Sequence, residues 1–456
     1  MVDRTTIIRA TLLTPIVLFL LYFGWFRDDT DLDRGRQDWD IPTNPSDIKT
    51  TSTPSTTPSS LPEPPERLPI LAGYFAAWGI YDRNYNVVDI DGDKLSHILY
   101  AFANINKSGT IVLGDSWADT DKHFEKELTV DHKADVWAED DNNLYGNFKQ
   151  LYLLKRKYPH LKVSLSVGGW SWSKNFPSVA SDETKRKRFA HSAVQHVKNL
   201  GLDGIDIDWE FPKTAQEGQD FVALLKDVRS ALHSIEPQSD ESPYLLSVAL
   251  GCGPDSYKYL DLDRMNDYVD IFYLMAYDLS GAWDDKTGHQ AALYGEATLT
   301  VHSAIQHFGQ SVPRSKLVMG LPVYGRSFSH TDGPFAEFDG VADGTWEKGS
   351  YDYNVLPRPG AEEFYDPDLG ASWSYDSQLR EYVTYDNHQV VQQKARYVKD
   401  KGLGGCMFWE LSSDTGNDQR NLLKAAFAGL GGHLDGTPNH LSYPDSQYDN
   451  IRLFAD

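Results

Sequence analysis

Three acidic residues occupy alternate positions in a short apolar run, GIDIDWE, at residues 204–210. Side chains two residues apart in a β-strand point the same way, roughly 6.6 Å apart along it. Asp206, Asp208 and Glu210 therefore share one face of a predicted strand. Burial and like-charge repulsion raise the pKa of at least one such carboxyl group, so a protonated acid stands beside an ionised one near neutral pH. Protonation of a leaving-group oxygen requires this pairing, which makes the run a candidate for general acid catalysis.

Two other interpretations of the run stay open at this level. The three acids could form a buried polar cluster without a chemical role. They could also bind a divalent cation, although one strand supplies no ligands from other directions. No HxxxH or CxxC pairing indicates a metal elsewhere, and we predict neither a metal nor a cofactor. Asp203 precedes the strand on the opposite face, where we expect a structural role.

Alternating strand and helix patterns that could position these acids begin after residue 68. Amphipathic patterns lie between several apolar runs. One predicted helix has Asp182 as its N-cap and ends at Gly201, and the next carries an apolar stripe from Phe221 to Leu232. The strand candidates cover residues 69–75, 96–104, 162–169, 204–210, 245–251, 270–278, 316–325 and 404–411.

This alternation predicts an α/β fold, a closed (β/α)8 TIM barrel over residues 69–431. An open doubly wound sheet is the alternative, but the glycine-rich phosphate turn that usually follows its first strand is missing here. Residues 326–390 are too long for one crossover, so we expect a small α+β insertion domain between strands 7 and 8. In such a barrel the acids point inward and Glu210 lies at the C-terminal rim, where barrel active sites are found. Residues 432–456 form a C-terminal tail.

The N-terminal part of the sequence has a different character. Residues 10–26 are uncharged, follow two arginines in a segment at 1–9 and precede several aspartates. This favours an uncleaved, single-pass type II membrane anchor with a cytoplasmic N-terminal segment, and a cleaved signal peptide is the alternative. Residues 27–68 include a Ser/Thr/Pro run that predicts a disordered stalk. Both interpretations place the catalytic domain in the lumen or outside the cell.

The overall composition narrows the set of partners. The chain has 43 basic and 66 acidic residues, a formal net charge of -23, which disfavours nucleic acid and anionic membrane surfaces. Cys252 and Cys406 fall on strand candidates three apart in the ring, so we expect two buried free thiols and no disulfide. Asn106 begins a possible N-glycosylation site. We expect a monomer.

The acidic run also belongs to a wider pattern. Residues 203–210, DGIDIDWE, resemble the DxxDxDxE signature of family 18 glycoside hydrolases, the chitinases. The resemblance runs from about Leu71 to Leu430, and it is strongest to fungal class V chitinases, which carry a similar insertion. Further motifs of the family follow in order: SVGG at 166–169, MAYD at 275–278, GLPVYGRSF at 320–328 and GGCMFWELSSD at 404–414.

The resemblance implies hydrolysis of β-1,4-linked N-acetylglucosamine polymers, chitin and chitooligosaccharides, with retention and by substrate-assisted catalysis. Glu210 would protonate the glycosidic oxygen while the 2-acetamido carbonyl of the substrate closes to an oxazolinium ion. Asp208 would orient the acetamido N–H and share a proton with Asp206. Tyr277 would donate a hydrogen bond to the acetamido oxygen. An endo-β-N-acetylglucosaminidase acting on N-glycans and a non-catalytic chitin-binding lectin are the alternatives.

The same resemblance implies a set of substrate-binding residues. Trp409 would be the floor beneath the cleaved ring, because sugar rings have apolar faces that stack on aromatic side chains. Trp170 and Trp283 would lie on the leaving-group side, and Asp278 and Arg326 would reach the sugar near the cut. Ser166 and Gly168 would shape the third strand and support Asp206. The remaining predicted members are Tyr74, Phe102, Gly169, Met275 and Tyr324.

Overall fold

A computed structural model describes residues 68–136, 142–236, 242–297 and 299–453 of the chain. Its strands are β1 (Ile70–Ala76), β2 (His97–Ile105), β3 (Ile111–Leu113), β4 (Lys162–Gly168), β5 (Gly204–Asp208), β6 (Leu245–Gly251), β7 (Ile271–Met275), β8 (Leu317–Pro322), β9 (Tyr324–Phe328), β10 (Ser350–Asp352), β11 (Glu362–Asp366), β12 (Ala371–Asp376), β13 (Glu381–Tyr385) and β14 (Gly405–Trp409).

The α-helices lie mainly between the barrel strands. They are α1 (Gly146–Lys157), α2 (Phe176–Ala180), α3 (Glu183–Leu200), α4 (Ala215–His233), α5 (Pro254–Tyr257), α6 (Leu262–Met265), α7 (Val301–Phe308), α8 (His388–Lys401), α9 (Leu422–Gly429) and α10 (Asp449–Arg452). The predicted ends of α3 are confirmed, because the carboxylate of Asp182 accepts the Lys185 N–H and Gly201 takes the left-handed conformation with φ +68°.

Eight parallel strands close into a barrel. Neighbours follow in the order β1, β2, β4, β5, β6, β7, β8, β14, and β14 pairs again with β1. The (β/α)8 barrel is therefore confirmed, and closure excludes the open doubly wound sheet. β3 adds a short antiparallel hairpin to β2. The ends of the barrel strands match the eight candidates to within a few residues.

The insertion between β8 and α8 is an antiparallel sheet. Five strands pair in the order β10, β9, β13, β12, β11. The sheet begins at Tyr324, two residues before the predicted boundary, and ends at Tyr385. Within this range the helical content is one 3-10 turn, Tyr353–Val355. Since β9 follows directly on barrel strand β8, the insertion sheet adjoins the C-terminal rim of the barrel.

Alternation along each barrel strand divides the apolar residues into two cores. Ile205 and Ile207 of β5 belong to the larger core between strands and helices. Tyr74, Tyr277 and Met407 belong to a smaller core inside the barrel. The acids of β5 take the opposite face from the isoleucines and therefore point into the barrel, as the sequence predicts.

The C-terminal tail closes the N-terminal end of the barrel. Asp203 accepts the backbone N–H of His440 at 2.7 Å and pairs with the buried ammonium of Lys155 at 2.8 Å. The side-chain amide of Asn439 donates to the carbonyl groups of residues 155, 158 and 161. The structural role predicted for Asp203 is confirmed. Cys252 and Cys406 are buried free thiols, as expected.

The predicted anchor at 10–26 lies outside the described residues, and so does the stalk apart from Leu68. Among the residues that the structure describes, no helix is both long enough and apolar enough to cross a membrane.

Candidate active site

Asp206, Asp208 and Glu210 are called the acidic ladder from here on. It starts inside the barrel, where Asp206 is fully buried. Three hydroxyl groups donate to its carboxylate: Ser247 to Oδ1 at 2.7 Å, and Ser166 at 2.7 Å and Tyr74 at 3.0 Å to Oδ2. Burial raises the pKa of Asp206, and these hydrogen bonds oppose the rise. The support predicted from Ser166 is confirmed. These hydroxyls hold the carboxylate in one orientation at the base of the ladder.

Ser247 is a site residue that the motifs did not indicate. It lies on β6, opposite Asp206 in the register between β5 and β6. Its signal in the sequence is weak, because a serine at this position also fits a buried strand. Only the barrel register shows that its hydroxyl meets the carboxylate.

Asp208, the middle acid, is 3% exposed. Its Oδ1 oxygen is buried and has no hydrogen-bond partner in the described part of the chain. Burial, followed by the charges of Glu210 and Asp206, raises the pKa of Asp208 well above its ordinary value. A buried acceptor without a hydrogen-bond partner costs free energy. The Asp208 oxygen is therefore available to accept a hydrogen bond from a bound ligand.

Glu210 lies two residues beyond the end of β5, at the rim. Its backbone N–H donates to the hydroxyl of Ser173 at 2.8 Å. Burial and the charge of Asp278 raise the pKa of the Glu210 carboxyl group to about 7, and a hydrogen bond from the Trp170 N–H opposes them. The side chain is partly exposed, so a protonated acid faces the cleft near neutral pH.

The end of β4 lets the backbone approach this ladder closely. Gly168 and Gly169 have φ values of +114° and +72°. A Cβ atom at Gly168 would lie 2.2 Å from the carbonyl oxygen of Asp208, and one at Gly169 would lie 2.8 Å from the ring of Phe102. The Gly169 N–H also donates to the Asp208 carbonyl group at 2.8 Å. The predicted shaping role of Gly168 is confirmed.

Tyr277 follows β7, two strands from β5 in the barrel, and is 9% exposed. Its ring packs edge-to-face against Tyr324 with centroids 6.2 Å apart. Burial raises the pKa of its hydroxyl group well above the ordinary value, and the charges of Asp208 and Glu210 add to the rise. The hydroxyl therefore stays protonated and within electrostatic reach of both acids.

Asp278 and Arg326 form a bidentate ion pair with distances of 2.8 and 2.7 Å. The hydroxyl of Tyr324 donates to the same carboxylate at 2.7 Å. The guanidinium of Arg326 also lies 5.2 Å from the Tyr324 ring and 5.7 Å from the Trp283 ring. These predicted residues are thus brought together, with Asp278 and Arg326 as each other's partners.

Aromatic rings line the remaining wall. Trp409 is half-buried, 5.2 Å from the Tyr74 ring and stacked 5.6 Å from the Phe102 ring. Trp170 and Trp283 are 55% and 51% exposed. Met275 is half-buried beside the inner core. Tyr74 is 1% exposed, so its ring lies behind Trp409 and its hydroxyl serves Asp206.

In the part of the chain that the structure describes, no group of three or more His, Cys, Asp or Glu side chains could hold a metal ion. Of the three acids, Asp206 accepts hydrogen bonds from three hydroxyl groups, and Glu210 is partly exposed at the rim. Its geometry fits proton transfer to a bound ligand.

Comparison with known proteins places the chain in a family. Residues 70–414 match the model of the glycosyl hydrolases family 18. Endochitinase 1 of Metarhizium robertsii is 42% identical over 389 residues, which cover 84% of this chain and 89% of that protein. Chitinase 1 of Aphanocladium album is also 42% identical, with 84% and 90% covered.

A solved structure gives the same result. The catalytic domain of psychrophilic chitinase B from Arthrobacter TAD20 superposes with a TM-score of 0.75 at 31% identity, covering 82% of this chain and 98% of that domain. The family predicted from the motifs is confirmed, since its model and these relatives span most of the sequence. The chain belongs to the glycosyl hydrolases family 18 and is a glycoside hydrolase.

Proposed function

We propose that the chain is a chitinase that hydrolyses β-1,4-linked N-acetylglucosamine polymers with retention of the anomeric configuration. The relatives that it matches are named as chitinases and endochitinases. The single observation that carries the mechanism is the state of Asp208, which is buried, has a strongly raised pKa and leaves one oxygen without a partner. Such a carboxyl group is a poor nucleophile, so the nucleophile comes from the substrate.

In the first step Glu210 transfers its proton to the glycosidic oxygen as the bond to the anomeric carbon breaks. The acetamido carbonyl oxygen of the same sugar attacks that carbon, and an oxazolinium ion forms. Tyr277 donates a hydrogen bond to this oxygen and holds it in line. Asp208 accepts the acetamido N–H, and as the proton that it shares passes to Asp206, its carboxylate stabilises the positive charge that develops on the ring.

In the second step a water molecule attacks the anomeric carbon from the face that the leaving group vacated. Glu210, now ionised, takes a proton from the water, and the oxazolinium ring opens to restore the acetamido group. The enzyme ends in its initial protonation state. Two displacements at one carbon give net retention.

The decisive experiment compares chitosan samples of equal chain length that differ only in acetylation. Fully deacetylated chitosan lacks the internal nucleophile, so we expect no cleavage, whereas highly acetylated chitin oligosaccharides are cut. Proton NMR of the first products should show the β-anomer. Efficient cleavage of the deacetylated polymer, or an initial α-anomer, would contradict the proposal.

The alternatives make different predictions for the same protein. An endo-β-N-acetylglucosaminidase would release glycans from an N-glycosylated protein and leave chitin oligosaccharides intact. A lectin would bind them without cutting. The presence of Glu210, Asp208 and Asp206 together supports an active hydrolase, because binding alone needs no proton donor.

We also propose that the catalytic domain works as a monomer outside the cell or in a lumen. The substrate class supports this location, since chitin is an extracellular polymer. The type II anchor at residues 10–26 remains a prediction, and N-terminal sequencing of the mature protein would distinguish it from a cleaved signal peptide.

A further inference from the structure

The segment that carries Glu210 leaves the sheet before it reaches the acid. The register between β4 and β5 ends at Gly168 and Asp208, and the register between β5 and β6 ends at Ile207 and Val248. The backbone of Glu210 therefore lies beyond the last strand pairing on both sides. Contacts other than those of the sheet must fix this acid, which is the most exposed member of the acidic ladder.

The buried hydroxyl of Ser173 makes contacts that replace the missing strand pairing. Its Oγ accepts the backbone N–H of Glu210 at 2.8 Å. The same hydroxyl donates to the carbonyl oxygens of Gly169 at 3.0 Å and Asp208 at 3.2 Å, which share its one hydrogen. The Asp208 carbonyl group also accepts the Gly169 N–H at 2.8 Å. Within the described part of the chain, Ser173 Oγ is the one acceptor for the Glu210 N–H.

The turn that contains Ser173 is itself anchored on two sides. It is a 3-10 turn, Trp170–Asn175, that directly follows β4 and Gly169. The side-chain amide of Asn175 donates to the carbonyl group of Ile105 at the end of β2 at 2.7 Å. The next residue, Phe176, stacks on Trp209 with ring centroids 5.3 Å apart and planes 9° from parallel. The turn is therefore attached both to β2 and to the segment whose backbone it holds.

The same turn contacts the carboxyl group of the acid. The backbone N–H of Trp170 donates a hydrogen bond to the Glu210 carboxyl group. One short turn thus binds Glu210 twice, at its backbone through Ser173 and at its side chain through Trp170. A misplacement of a catalytic group by about 1 Å can lower a rate about 100-fold, so the loss of either contact should affect proton transfer.

We propose that Ser173 is a positioning residue that holds Glu210 in line with the glycosidic oxygen. Ser173 is 6% exposed, and it acts through the backbone of the acid. This inference rests on the proposed function, in which Glu210 is the proton donor, and it names a residue on which that proton transfer depends. Asp208 is held by the Gly169 N–H as well, so the loss of the hydroxyl displaces Glu210 more than Asp208.

The test compares two substrates that differ in their need for a proton. The tetramer of N-acetylglucosamine has a sugar leaving group, which must be protonated, so Ser173→Ala should lower its kcat by about 10- to 100-fold. The para-nitrophenyl glycoside of chitobiose releases a stable phenolate that needs little protonation, and its kcat should fall by about 3-fold or less. Loss of general stability would affect both substrates equally, and thermal unfolding gives the folded fraction of each variant.

A matched pair of variants isolates the hydroxyl group. Ser173→Thr and Ser173→Val have nearly the same shape, and only the first keeps a hydroxyl, so Ser173→Thr should cut the tetramer faster. Ser178→Ala is the control, because it removes an exposed hydroxyl that donates to the Asn175 carbonyl group, and it should leave both rates unchanged. Equal kcat values for the Thr and Val variants, or an equal loss on the two substrates in Ser173→Ala, would overturn the inference.

The Glu210→Gln protein keeps the two proposals apart. It should lose far more activity on the tetramer than on the aryl glycoside, and adding Ser173→Ala should then cost little more on the tetramer, because both changes act through one proton donor. If Glu210→Gln shows this selectivity and Ser173→Ala does not, this inference fails alone. If Glu210→Gln affects both substrates equally, Glu210 is not the acid, and the proposed function fails together with this inference.

Discussion

At the scale of single residues, the surroundings of Glu210 decide when it can act as an acid. Its pKa is raised to about 7 by burial and then by the charge of Asp278. The acid is protonated below that value and ionised above it. The rate of the chemical step should therefore fall as pH rises through about 7.

Replacing Asp278 tests the origin of this pKa. In Asp278→Asn the repulsion that raises the pKa of Glu210 is lost, and Arg326 is left as an unpaired cation that favours the ionised acid. We expect the alkaline limb of kcat/KM to move to lower pH. Full pH profiles measure this shift, with Asp339→Asn as an exposed control on the insertion. A limb that stays in place would show that Asp278 has no effect on Glu210.

Glu210→Gln tests both the role of Glu210 as a proton donor and the effect of its ionisation on stability. Loss of the proton donor should lower kcat by about 100- to 10,000-fold. In the folded protein the Glu210 carboxyl group keeps its proton up to about pH 7, whereas in the unfolded chain it keeps its proton only up to its ordinary pKa of 4.5. The free energy of unfolding therefore falls as pH rises through this range. At pH 8 the variant should be more stable by about 1–3 kcal/mol, and at pH 4 unchanged.

Urea denaturation at the two pH values measures that difference. Glu183→Gln serves as the control, because its carboxylate lies in an exposed pair on α3. Undiminished activity in Glu210→Gln would exclude the acid role, and equal stability changes at pH 4 and pH 8 would contradict the assignment of the pKa.

At the scale of elements, the site depends on how closely β4 approaches β5. Gly168 has φ +114°, and a Cβ atom there would meet the Asp208 carbonyl oxygen at 2.2 Å. Because the obstacle is backbone, β5 would have to move and Asp208 with it. We expect Gly168→Ala to lower kcat by about 100-fold, as misplacement of about 1 Å does in other enzymes.

Kinetics and thermal unfolding measure this effect together. The control is Gly436→Ala, because a Cβ atom at Gly436 would meet nothing within 4 Å. Wild-type activity in Gly168→Ala would mean that the strands adjust without moving the acids.

At the scale of the whole molecule, a buried ion pair of the barrel also holds the tail, because its Asp203 carboxylate accepts the His440 N–H. The side chains of Lys155 and Asp203 are 0% and 2% exposed. In Asp203→Ala the ammonium of Lys155 stays buried without its counter-ion, and the His440 N–H loses its acceptor. We expect the free energy of unfolding to fall by about 3–5 kcal/mol.

Denaturant titration measures this loss. Glu183→Ala breaks an exposed pair with Lys187 and should lower the free energy of unfolding far less. Because Asp203 lies before β5 and faces away from the acids, kcat of the folded Asp203→Ala protein should change far less than its stability. A stability equal to that of Glu183→Ala would show that the pair does not hold the tail.

The sequence alone determined the barrel and the acidic ladder, because both follow from local periodicity. Alternation in residues 204–210 placed Asp206, Asp208 and Glu210 on one face, and the apolar runs marked the strands to within a few residues. The cap of α3 at Asp182 was predictable for the same reason, since it depends on neighbours in the chain.

Only the tertiary structure decided which distant groups meet the ladder. Ser247 reaches Asp206 because β6 pairs with β5 in one register, and a shift of one residue would turn its hydroxyl away. Arg83, Asp352 and Glu410 are far apart in the chain, and they meet because closure of the barrel brings its first and last loops to the insertion sheet. Long-range contacts of this kind leave no periodic trace in a single sequence.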